Sequence, residues 1–436
     1  QLETRGESYG VHAWLVPIRD PQGQLLPGVR AEDCGRKMGL NGVDNGRLWF
    51  DDVRVPRTSL LDRFGKVAVD GSYSSPIPAA GKRFFTMLGT LVGGRINAAG
   101  ASLSASKLGL SIALRYATRR HQFPDDSGVE KTLIEYLTHQ QRLLPALASA
   151  YAFSFAQQAM LQRLEAAQKK PELGREIGTL AAGLKAIGTW QAIDTLQKCR
   201  ECCGGQGYLS ANRIDSLRVD ADVFTTFEGD NTVLSQLVAK DLLRNAQRRR
   251  KGSPLAALGS VVSDVADAVA RNPIAQRMTS DDALLDFEFQ LEALRFRERT
   301  LTHSLARRIE KRIADGASAS EAFDACQDHA VSLARAYVTR FVLESFQPVA
   351  KDDPVLKQLC SLFGLTCLEV DFGWFLENDY LAASKVRVLR KQRNALLAEL
   401  QPLALALVEA FAIPSTCLGP LADPAYLVDS GLAPSP

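Results

Sequence analysis

Excess charge of either sign is nearly absent from this chain of 436 residues: 52 Lys and Arg stand against 49 Asp and Glu, a formal net charge of +3. That balance is too small to mark a nucleic-acid partner, whose phosphates call for a dense basic face. Cysteine is sparse, eight residues without disulfide-like spacing, which fits a reducing cytosol. Cys199-x-x-Cys202-Cys203 has no second cysteine or histidine pair at ligand spacing, so no metal is expected and the cluster reads as buried thiols on a helix end. No uninterrupted apolar run reaches the roughly eighteen residues that span a bilayer, so no membrane span is expected, and no signal peptide is visible. What is present is apolar bulk: 46% of the chain, ample for large cores, over a length that gives about three domains by the usual prior.

Two regimes of patterning divide the sequence. Residues 1 to about 60 alternate apolar and polar in short runs, such as Tyr9–Ile18 and Arg47–Pro56, separated by glycine and asparagine turns, and read as strands. From about Arg83 the period becomes helical, with long segments at Phe84–Arg119, Val129–Gln168 and Leu173–Cys203 and another after Glu228, enough for a four-helix bundle. Arg248-Arg249-Arg250-Lys251 followed by Gly252-Ser253-Pro254 reads as a solvated linker. Beyond it lies a second helical unit that includes Leu285–Ala314, Ser318–Leu343 and Val386–Ala412.

Thr226-Phe227-Glu228-Gly229-Asp230-Asn231-Thr232 carries the chemistry. It sets one carboxylate between an apolar ring and a glycine, where Phe227 would desolvate Glu228 and raise its pKa while Gly229 lets a substrate approach the backbone. Asp230 is the N-cap expected for a helix with the apolar positions Val233, Leu234, Leu237, Val238 and Leu242. On local sequence alone, a glutamate ahead of a helix also serves as support for the helix dipole.

Upstream, Cys203-Gly204-Gly205-Gln206-Gly207-Tyr208 forms a glycine-dense turn after a long helical segment. Together the two motifs resemble the acyl-CoA oxidase and acyl-CoA dehydrogenase superfamily, and Phe227–Thr232 is similar to the oxidase version. Two further stretches extend the resemblance. Tyr116–Phe123 is similar to the signature that contacts FAD across a subunit interface, which implies Arg120 at the pyrophosphate with Gln122 and Phe123 beside the cofactor; the family continues with glycine where this chain has Pro124. Gly93–Gly100 resembles the helix along the acyl-CoA site and implies Arg95 as a substrate contact. Gly204 and Gly205 are implied as backbone approach points for FAD. Where many dehydrogenases carry a glutamine, this chain has Glu201, whose charge would repel the pyrophosphate.

The resemblance implies a mainly α fold with an N-terminal β portion: a partial β-barrel domain followed by a four-helix bundle and a second, C-terminal α-helical domain. Residues 1–80 would be the C-terminal part of a middle β-domain, 81–250 the bundle that takes FAD and acyl-CoA, and 251–436 an oxidase-type α-domain, with Gly373–Leu381 as part of that extension. Gln1 is not an initiator methionine, and strands 1–60 alone would leave open sheet edges, so a fragment of a longer chain is expected. Leu432–Pro436 is no Ser-Lys-Leu-type address, and a bacterial cytoplasmic location is expected.

In the intact enzyme the resemblance implies Glu228 as the base that removes the α-proton of a fatty acyl-CoA thioester held near Gly229, with the β-hydrogen passing as hydride to FAD and O2 reoxidising the flavin to give H2O2. A homodimer is implied by the shared FAD site. Two other readings stay open: a dehydrogenase that passes electrons to an electron-transfer flavoprotein, and an acyl-CoA-binding subunit without turnover.

Overall fold

The computed structural model describes residues 1–89, 91–170, 174–251 and 284–432. Two compact units divide the chain, Gln1–Gly94 and Arg95–Pro436.

In the first unit, three separate two-stranded antiparallel ladders are described: β1 (Glu3–Thr4) with β2 (Glu7–Ser8), β3 (Val29–Asp33) with β4 (Gly46–Phe50), and β5 (Lys66–Val67) with β6 (Tyr73–Ser74). The β3–β4 register sets Arg30 opposite Trp49, and the guanidinium lies 4.0 Å from the indole centroid. Tyr9–Ile18, expected as a strand, is extended but enters a ladder pattern only at the Trp14–Leu60 bridge among the described residues. Alternation supplies a suitable side-chain pattern; a strand also needs a neighbour at matching register. Helix α1 (Ala80–Leu88) follows, and Arg83 is buried with Nη1 donating to the Ile77 carbonyl at 2.9 Å.

The second unit is helical. Among the described residues its α-helices are α2 (Leu91–Ala117, within this unit from Arg95), α3 (Leu137–Lys169), α4 (Gly174–Cys202), α5 (Ile214–Val223), α6 (Asn231–Lys251), α7 (Phe287–Ala314), α8 (Ala319–Asp324), α9 (Gln327–Ala350), α10 (Pro354–Val370), α11 (Phe372–Glu377), α12 (Ala383–Leu400), α13 (Ala404–Glu409) and α14 (Pro424–Asp429). A single hairpin, β7 (His121–Pro124) with β8 (Glu130–Thr132), links α2 to α3. The chain is thus mainly α with a β portion at its N-terminus.

α4 packs between α3 and α6, and α9 lies against α3, α4, α6 and α7, so the helices before and after residues 252–283 share one core. Leu180 and Leu184 of α4, Val238 of α6 and Val338 and Phe346 of α9 are buried in it. The α4–α9 approach needs a glycine: a Cβ on Gly183 would stand 2.6 Å from Val338 Cγ2.

Several boundaries differ from those expected. The segment expected as helix from Val129 begins with β8 and a 3-10 turn, Leu133–Glu135, because Thr132 and Glu135 close a capping box. Ser318–Leu343 breaks into α8 and α9, and Val386–Ala412 into α12, a 3-10 turn and α13. Arg248–Lys251 is not linker. It forms the last turn of α6, since arginine and lysine are strong helix formers; Gly252-Ser253-Pro254 lies outside the described residues.

Candidate active site

Glu228 occupies the kink between α5 and α6. Its φ is +58°, a left-handed conformation that a non-glycine residue adopts at a cost of roughly 1 kcal/mol, and Gly229 follows at φ +110°. Asp230 caps α6 as expected, its Oδ1 accepting from the amides of Thr232 at 2.9 Å and Val233 at 3.0 Å. Leu234 and Val238 are buried, but Val233 is 61% exposed and lies off the core face.

The expected desolvation of Glu228 by Phe227 is not seen. The Phe227 ring is 47% exposed and meets Phe224 edge-on at 6.4 Å, while Glu228 itself is half-buried.

What surrounds the kink comes from other helices. Arg95 of α2 is half-buried and its Nε donates to the Glu228 carbonyl at 3.3 Å; burial lowers its pKa and the Glu228 carboxylate opposes the shift. Lys185 of α4 has a fully buried side chain whose Nζ donates to the carbonyls of Thr225 (3.3 Å) and Gly229 and to Asn231 Oδ1 (2.9 Å). Burial pulls Lys185 down to about 8, and the Asp230 and Glu228 carboxylates pull the other way. Asn231, buried too, donates its Nδ2 to Thr189 Oγ1 at 2.8 Å, one turn along α4. Sequence reasoning missed Lys185. Its signal was a lone lysine in the apolar stretch Leu180–Ile187 of a helix buried nearly all round.

A second cluster gathers the residues implied for FAD. Arg120 and Gln122 of the hairpin share an open cleft of about 460 Å3 with Tyr116, Arg142, Gly204 and Gly205. Arg120 Nη1 donates to the Leu432 carbonyl at 3.1 Å. Phe123 does not line this cleft; it is 65% exposed and left-handed at φ +60°, where a register shift between Gln122 and Pro124 bulges the strand. Tyr136 holds this bulge, its Oη donating to the Gln122 carbonyl at 2.5 Å. Space above Gly204 and Gly205 is open, since a Cβ on either would meet nothing within 4 Å.

Glu201 borders the same cleft, and its charge is not left to repel an anion. It is ion-paired with Arg142 and lies 3.9 Å from Arg200; the hydrogen bond from Gln197 and the Arg142 guanidinium hold its carboxyl below the usual range. His139 also lines the cleft, with burial pushing it down to about 4 and its Nε2 buried without a hydrogen-bond partner. Two guanidinium groups, a bare glycine backbone and an unpartnered ring nitrogen make a cradle that fits a pyrophosphate. Cys199, Cys202 and Cys203 are buried thiols, as expected; burial raises all three, Cys202 to about 11.

Comparison with known proteins matches both helical stretches. The domain family described as "Acyl-CoA oxidase, C-alpha1 domain" matches residues 88–243, and "Acyl-CoA oxidase" matches residues 286–420. The mouse acyl-coenzyme A oxidase-like protein is 39% identical over 95% of this chain and 67% of its own length. This chain belongs to the acyl-CoA oxidase family. The peroxisomal acyl-coenzyme A oxidase 2 of Arabidopsis thaliana is 39% identical over 93% of this chain and 60% of its own length, and human peroxisomal acyl-coenzyme A oxidase 3 is 34% identical over 94% and 62%. The chain therefore spans about 60–67% of the length of these curated relatives.

Among solved oxidases, acyl-CoA oxidase 3 of Yarrowia lipolytica superposes with a TM-score of 0.86 at 27% identity, over 99% of this chain and 66% of the other. Acyl-CoA oxidase-2 of Caenorhabditis elegans, bound with FAD, ascaroside-CoA and ATP, gives 0.82 at 26% over 97% and 64%. The expectation of a bacterial cytoplasmic location is corrected by the oxidases of Arabidopsis and human, which are named peroxisomal.

Proposed function

We propose that the whole protein is an FAD-dependent acyl-CoA oxidase that converts a fatty acyl-CoA to the trans-2-enoyl-CoA with O2 as electron acceptor and H2O2 as product. The observation that carries this reading is Glu228: a single carboxylate on a left-handed kink, flanked by Gly229 and approached by the half-buried Arg95 and the buried Lys185. Membership of the acyl-CoA oxidase family supports it.

In this proposal Glu228 takes the α-proton of the thioester. Arg95 draws charge toward the site and contacts the substrate, and Gly229 keeps the backbone beside it bare. Arg120, Gln122, Phe123, Gly204 and Gly205 hold FAD, with the two glycines admitting it close to the main chain and Arg120 facing its phosphates. Held there, FAD would supply the hydride acceptor for the β-hydrogen and the route for the electron pair to O2. Arg142 neutralises Glu201 so that the cleft favours an anion. A homodimer, in which each subunit completes its partner's cofactor site, belongs to the same reading.

The family matches at 88–243 and 286–420 support assigning 81–250 to the catalytic bundle and 251–436 to an oxidase-type α-domain, leaving 1–80 as the remainder of a middle β-domain. The test is aerobic turnover of a panel of acyl-CoAs by the full-length gene product with FAD, following peroxide and enoyl-CoA together. Glu228→Gln is expected to lower kcat by about 100-fold or more, the usual contribution of a positioned base. Enoyl product without peroxide, or an unchanged rate in the variant, would overturn the reading.

A further inference from the structure

The carboxylate proposed as the base lies on a kink of two successive left-handed residues, Glu228 and Gly229, between two helices, spanned by one backbone hydrogen bond from the Asn231 amide to the Thr225 carbonyl at 3.1 Å. Among the described residues, the side chain that bonds to both sides of this kink is Lys185. Its Nζ reaches Thr225 before the kink and Gly229 and Asn231 after it, and all three acceptors are neutral oxygens rather than carboxylates. A buried ammonium placed on neutral oxygens is not a simple ion pair; its hydrogen bonds fix the path of the chain that accepts them. Asn231 is fixed in turn by Thr189 on the same helix, so α4 grips the kink at two points.

We propose that Lys185 is the positioning residue of the active site, an internal clamp on α4 that holds the Thr225–Asn231 kink and so aims the Glu228 carboxylate. This rests on the reading of Glu228 as the base. Lys185 touches no reacting atom in this scheme; it acts through the backbone of the loop. Loss of the clamp leaves Arg95 on α2 and the FAD cleft in place and lets the carboxylate wander, so the loss falls mainly on kcat rather than KM.

The experiment combines steady-state kinetics with amide hydrogen exchange on the full-length FAD-bound protein, comparing Lys185→Met, Lys185→Arg, Asn231→Ala and Glu228→Gln. Lys185→Met is expected to speed exchange of the amides at 226–231 by about tenfold or more while α4 keeps its protection. It is also expected to lower kcat by about 100-fold with KM changed by less than about threefold. Lys185→Arg, which keeps a buried cation with several donors, recovers much of both effects. If Lys185→Met does not accumulate as folded protein, Asn231→Ala loosens the same kink from the other side and gives the same two readouts in milder form.

Wild-type exchange at 226–231 in both variants overturns the proposal. So does a fall in kcat accompanied by loss of protection throughout α4, which would mark Lys185 as general core. Glu228→Gln separates the two ideas: retained turnover there refutes the base, whereas the exchange of the kink in Lys185→Met still reports on the clamp.

Discussion

His139 has its ring largely out of water beside the Arg142 guanidinium, and burial first, then that positive neighbour, pushes it down to about 4. Its folded pKa is thus below the ordinary value of about 6.5, and the unfolded chain takes up the proton first as pH falls. The stability this group allows is present above about pH 6.5 and is lost as pH falls toward 4, on the order of 3 kcal/mol over that window. Urea midpoints measured between pH 7.5 and 5 are expected to drop in the wild type and to drop less in His139→Gln. The same residue scale shows what was legible in the sequence. Glu228, Arg95, Arg120 and Gly204 belong to short motifs, each recognisable from its immediate neighbours. Lys185 and Arg142 act on residues 44 and 59 positions away, and no local pattern records such a partner. Phe227 was read from adjacency in sequence alone, and adjacency does not fix how far a ring is buried: it is about half exposed and meets Phe224.

At the scale of elements, the long helices were legible as continuous runs far longer than a strand, even where apolar residues face every side as in α3. Some breaks were not, because they depend on local hydrogen bonds such as the Thr132–Glu135 box, which starts a 3-10 turn where helix was expected. Nor did patterning reveal that the helices after residue 283 would share a core with those before 252. That seam runs through Gly183, and Gly183→Ala is expected to force α4 and α9 apart at a cost of about 1–3 kcal/mol. A lower thermal midpoint with intact helical circular dichroism would register it, and an unchanged midpoint would show that Val338 yields.

At the scale of the whole molecule, residues from Arg95 onward form one compact unit, and whatever strain a single loop holds is borne by that shared core. The kink at Glu228 is one such load. A glycine there would adopt the same backbone freely, and the carbonyl that Arg95 holds would still be present. Glu228→Gly is therefore expected to abolish turnover and yet raise the unfolding free energy by about 1 kcal/mol, readable as a higher urea midpoint. In selective terms, if Glu228 is the base, its strained backbone would be kept only while that chemistry is under selection, and lineages that have given up catalysis are expected to carry glycine or asparagine there.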